Sequence, residues 1–233
     1  MYIKLLISFI LFINLSFAKS DESIILNEEK AKKIKSAIVI GPEYFPTDSS
    51  LKLIYDSNFG DALSTIKQEG NYFILDLGND DFSFVQTIYV ENDSVYLTKL
   101  DQSVDVFLFI SAGSTVTYGT PYLRFPFPLQ ESDIWNWNGV ELINDEDPDT
   151  ISVSGKVLGE ELLQTEAGNF NCVKFQIDIR KKKSGSHTKF YEWRTPKIGL
   201  VKLEAYIDSK GFIGSIMSLL GYDEMRFELK KIG

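Results

Sequence analysis

The sequence predicts an all-β fold: a strongly curved antiparallel up-and-down sheet, or a half-open barrel, of about 10–11 strands with at most one or two short helices. Three observations carry that expectation. Apolar and polar residues alternate most cleanly from Phe170 to Arg180, where Val173, Phe175, Ile177 and Ile179 take one face. Lys174, Gln176, Asp178 and Arg180 take the other, the period-2 signature of a half-buried strand. Turn-forming clusters such as Gly78-Asn-Asp-Asp81, Asn92-Asp93 and Ala167-Gly-Asn169 recur at short intervals, with no helix-length segment between strands. Aromatic residues make up 13% of the chain, which suits broad apolar sheet faces. So many strands in one flat sheet would leave two long edges exposed, and curvature or near closure avoids this.

Taken in order, the chain begins with a leader. Lys4 precedes an apolar run from Leu5 to Phe17, and small residues surround Ala18 before Lys19. This is the pattern of a secretory signal peptide, and the run falls short of the roughly 20 apolar residues of a spanning helix. Residues 1–18 are read as the leader, cleaved near Ala18. No cysteine follows the apolar run to carry a lipid, so the expected location is periplasmic or secreted, without a membrane span after processing. Residues 19–36 are charged and read as a mobile tether, and residues 37–233 as one antiparallel β domain.

Within that domain, Leu51–Asp56, Ala62–Gln68, Asn71–Leu77, Phe82–Glu91 and Ser94–Leu100 are expected strands. Val104–Ser111 is a further strand with both faces covered, closed by a turn at Ala112-Gly-Ser114. Pro121–Pro128 holds three prolines, which cannot donate to a sheet ladder, and is read as an extended connector or an edge. Trp135 and Trp137 share a face, and Asn138-Gly139 is a hairpin-type turn signal. Ile151–Thr165 is a long strand with a bend at Gly155 or Gly159. The hairpin at Ala167-Gly-Asn169, strands at Thr188–Arg194 and Gly199–Asp208, an apolar stretch at Phe212–Leu220 and a last strand around Met225, Phe227 and Leu229 complete the chain.

Composition and motif content exclude several functions. Loss of the leader removes one Lys and no acid, so the formal charge moves from -9 to -10. Such an acidic chain is a poor partner for nucleic acid. The single cysteine, Cys172, forbids an internal disulfide and reads as a small buried hydrophobe. The sole histidine, His187, sits in the Lys181–His187 turn, away from the buried geometry that acid–base catalysis requires. The acidic loop Asn144–Asp149 lacks the Gly and distal Glu of a helix-loop-helix calcium site. Trp135 and Trp137 read as core aromatics ahead of a sugar-stacking platform. No enzyme, metal or cofactor is expected.

Two elements resemble a family of exported bacterial β-sheet proteins whose function is not established. Thr165, Ala167, Gly168, Phe170 and Cys172 match its Thr-x-Ala-Gly-x-Phe-x-Cys hairpin. Pro196, Gly199, Leu200, Val201 and Lys202 match its Pro-x-x-Gly-Leu-Val-Lys strand, and Tyr44-Phe-Pro46 is similar to its opening. The chain departs from the family at Ser49–Tyr55, where a Trp is usual. The resemblance implies a curved antiparallel sheet, distantly similar to the half-barrels of lipoprotein-localisation carriers, with no catalytic residues.

The most interesting apolar material is the Pro-aromatic connector Tyr122–Phe127 together with Phe212–Leu220, which reads as a cap on the core ahead of a ligand groove. If both line the mouth of a curved sheet, Tyr122, Phe125, Phe127, Trp135, Trp137, Phe212, Ile216 and Leu219 form a groove for an apolar or lipid-like ligand. The expected function is therefore a non-catalytic envelope binding or carrier module. The alternative is an envelope assembly or interaction protein that docks a protein partner and has no ligand cavity.

Overall fold

The computed structural model describes residues 38–107, 110–144, 148–208 and 223–233. The leader and tether, 1–36, lie outside them, as do Phe212, Ile216 and Leu219 of the expected groove. Residues 37–233 form one compact unit.

Twelve strands run up and down in chain order. They are β1 (Lys52–Ser57), β2 (Ala62–Glu69), β3 (Tyr72–Gly78), β4 (Phe82–Glu91), β5 (Ser94–Phe107) and β6 (Ile110–Pro126), then β7 (Ile134–Ile143), β8 (Asp149–Thr165), β9 (Gly168–Lys181), β10 (His187–Thr195), β11 (Gly199–Asp208) and β12 (Glu224–Ile232). Each pairs antiparallel with its sequence neighbours, and β1 pairs with β12, so the sheet closes into a barrel. The only helical turn among the described residues is Pro42–Tyr44. The wall faces outward with charge. On β12, Phe227 and Leu229 are buried while Glu224, Arg226, Glu228 and Lys230 occupy the opposite face. A lipid-facing barrel has the reverse polarity.

Several boundaries differ from the sequence reading, each for a physical reason. The barrel is closed and holds one or two more strands than expected. Asp101–Ser103 does not interrupt β5, because its backbone pairs with Gly113–Thr115. Ala112-Gly-Ser114 accordingly lies inside β6 and makes no turn. Asn138-Gly139 also makes no turn. Gly139 is a strand residue on which the Trp137 indole lies flat, leaving no room for a Cβ. β6 does accept Pro121, where the ladder to β5 lapses, and Pro126 as its last residue, opposite Ser94. Tyr118 to Pro121 bulges away from β5, and pairing to β7 ends at Tyr118.

Other expectations hold. The hairpin between β8 and β9 turns between Thr165 and Gly168, with Gly168 at φ 133, a value that only glycine adopts readily. β8 bends at Gly159, where the register shifts. Pro196 falls between β10 and β11, and β11 starts at Gly199.

An N-terminal strap closes one end. Ile40 bridges Leu129, and the Lys197 N–H donates to the Glu43 carbonyl at 2.8 Å. Gly199, at φ 81, lies under Pro46.

Candidate functional site

The interior is organised around Phe125 of β6, which is fully buried. Its ring meets Phe175 edge-on at 5.2 Å, stacks on Phe127 at 5.5 Å and touches Trp135 and Phe45 at 5.7 Å. Tyr122 and Trp137 lie next to each other at 5.1 Å. The structure thus brings together the five described members of the expected groove, and it buries four of them as core: Tyr122, Phe125, Phe127 and Trp135. Trp137 packs against that cluster partly buried. The Trp135 indole reaches this position by lying across Gly155 of β8, where any side chain would collide with it.

Charge is buried inside this apolar shell. Glu192 of β10 is inaccessible to solvent and bonds Arg124 of β6 and, at 2.7 Å, Arg194 of its own strand. The Arg194 guanidinium lies over Phe45 and Phe125, at 4.5 and 5.1 Å from the ring centres, and Arg124 over Phe125 at 5.6 Å. Burial opposes ionisation of Glu192, but the two guanidiniums outweigh it and hold its carboxyl below the ordinary range. Burial likewise opposes the Arg124 charge, and the Glu192 carboxylate more than compensates, raising its pKa. Sequence reasoning missed this triad, because Arg124 and Glu192 sit 68 residues apart on strands that are not neighbours. The alternation of Phe190, Glu192 and Arg194 with Tyr191 and Trp193 was the available signal, since it sets the charged pair on the face of Phe190.

The β6–β7 ladder is short beside this cluster. β6 and β7 pair only over Val116–Tyr118 against Glu141–Ile143. Beyond that no ladder pair joins them: β7 stays paired with β8 and β6 rejoins β5 from Tyr122, while Gly119 still lies against the Val140 carbonyl and rings of the two strands touch. Three buried donors on these two strands have no hydrogen-bond partner among the described residues: the Tyr122 hydroxyl, Arg124 Nε and Trp135 Nε1. Their residues are only 2%, 9% and 6% exposed. Burial pushes the Tyr122 phenol up, so it stays protonated. The Arg124 guanidinium lies beside the phenol oxygen and acts against that rise, while the phenol's own hydrogen has no acceptor. A buried donor without an acceptor costs about 1–3 kcal/mol, so each of the three is a position where an added acceptor would stabilise.

The other residues weighed from sequence lie elsewhere. His187 Nε2 pairs with Asp178 at 2.8 Å on the outer wall. Cys172 is buried, and burial pushes its thiol up to about 12. In the acidic loop, residues 145–147 are outside the described ones, and Asp149 accepts from the Lys183 and Ser184 N–H groups. Among the described residues no group of three or more His, Cys, Asp or Glu is placed to hold a metal. Two surface hollows, of about 290 and 560 Å³, lie at the base of the β5–β6 hairpin and beside His187 and Tyr206, away from the aromatic cluster.

A family described as DUF3108-like matches residues 140–219, a stretch that includes both the β8–β9 hairpin motif and the start of β11. No curated protein matches the chain significantly. Two solved structures are similar. One is a candidate lipoprotein from Parabacteroides distasonis, 14% identical over 82% of this chain and 98% of its own, with a TM-score of 0.41. The other is a candidate exported protein with a YmcC-like fold from Bacteroides fragilis, 16% identical over 85% of this chain and 100% of its own, with a TM-score of 0.40.

Proposed function

We propose that the protein is an exported cell-envelope binding or carrier module for an apolar, lipid-like ligand, admitted where the β6–β7 ladder ends. The observation that carries this reading is the set of three unpartnered buried donors on these two strands. They adjoin the packed aromatic cluster, which an acyl chain entering between the strands would have to part. From Gly119 onward β6 and β7 can part without breaking ladder hydrogen bonds between them. Trp137 and Tyr118 sit partly buried at the same place, as aromatic gates would. The leader pattern supports export, and the charged outer wall supports a periplasmic or secreted protein that does not span the membrane. Phe212, Ile216 and Leu219 remain proposed members of the lining.

The second reading is an interaction protein. The unpaired edge of β7, with Ile134 61% exposed, supports it, because a partner strand could pair there. Native mass spectrometry of protein purified gently from its own envelope separates the two. A copurifying lipid mass is expected. Bare polypeptide under every gentle condition contradicts the carrier reading, and a stoichiometric protein adduct in its place favours the second.

A further inference from the structure

We infer that the ligand carries a single negative charge on an acyl chain, in the simplest case a carboxylate, bound by Arg124, Tyr122 and Trp135. This rests on the proposal that a ligand lies between β6 and β7, and it specifies the ligand's chemical class. All three orphaned groups can donate: Arg Nε and Trp Nε1 are donors only, and the phenol has a hydrogen to give. A ligand that satisfied them would therefore be an acceptor. The charge count agrees. Two guanidiniums share one carboxylate, leaving an excess of one positive charge in a low-dielectric interior. The other buried carboxylates among the described residues are occupied. Glu141 lies 2.6 Å from Lys181 Nζ, and Asp149 is held by backbone N–H groups. One negative charge would neutralise the cluster, whereas a second would itself be buried without compensation. The aromatic ring of Phe125, shared by Arg124 and Trp135, puts apolar surface directly beside the charged donor.

The test titrates delipidated protein with palmitate, hexadecanol and acetate, the first two below the concentrations at which they aggregate, using calorimetry. Palmitate is expected to bind at least about tenfold more tightly than hexadecanol, since a hydrogen bond to a charged group is worth more than one to a neutral group. Acetate is expected not to saturate. Tyr122→Phe removes one donor with little change of shape, and it should weaken palmitate by a larger factor than it weakens hexadecanol. Equal binding of palmitate and hexadecanol overturns the charged head group but leaves an apolar ligand site standing. Binding of neither overturns both, and acetate binding as tightly as palmitate overturns the acyl chain. The wild-type comparison decides these points even where a variant does not fold.

Discussion

Replacing Glu192 by Gln removes the one negative charge that faces two buried guanidiniums. The side chain keeps nearly its size, so the loss is electrostatic. Breaking a buried ion pair from one side costs about 3–5 kcal/mol, because the remaining charges stay buried without compensation. For a domain of this length each kcal/mol moves the melting temperature by roughly 2–4 °C, so E192Q should melt about 6–20 °C below wild type. Replacing all three members together, Arg124→Met, Glu192→Leu and Arg194→Met, removes the charges with the pair. That triple variant should recover most of the loss, since apolar replacements of buried triads are neutral or stabilising in other proteins. Urea unfolding followed by tryptophan emission and far-ultraviolet dichroism measures all three proteins. If E192Q lies within about 1 kcal/mol of wild type, the size of an exposed pair, the triad is not desolvated as described.

Acid should destabilise wild type through the same group. Glu192 has a folded pKa below its unfolded value of about 4.3, so its contribution is present above that pH and is lost as pH falls below it. The stability difference between wild type and E192Q should therefore shrink below pH 4 in urea titrations, and a difference independent of pH contradicts it. Gly155→Ala forces a Cβ into the Trp135 indole and should cost about 1–3 kcal/mol, with a changed near-ultraviolet dichroism spectrum. An unchanged spectrum and stability would mean the indole does not lie on β8. Cys172, its thiol pushed up to about 12, should resist labelling by Ellman's reagent at pH 8 until urea unfolds the barrel. Rapid labelling of the folded protein would place it at the surface.

What was legible in the sequence was the part governed by local alternation. Val173, Phe175 and Ile177 face the core as their spacing requires, and Pro196, Gly199 and Gly168 sit at strand ends where their backbone chemistry is used. Tyr122, Phe125, Phe127, Trp135 and Trp137 do lie together, but as packed core, which is the role that their aromatic side chains on alternating strand positions fit. Closure was not legible, since pairing of β1 with β12 joins the two ends of the domain. The Arg124–Glu192–Arg194 triad was hidden for the same reason. Asn138-Gly139 misled because a glycine that admits an indole has the same letter as one that makes a turn.

The proposed ligand's acyl chain lies between β6 and β7. A bromine-labelled acyl chain quenches tryptophan emission only over short distances, and this chain has three tryptophans, Trp135, Trp137 and Trp193. Quenching is predicted to persist in Trp193→Phe and to vanish in the double variant Trp135→Phe, Trp137→Phe. Quenching that follows Trp193, or none in wild type, contradicts it.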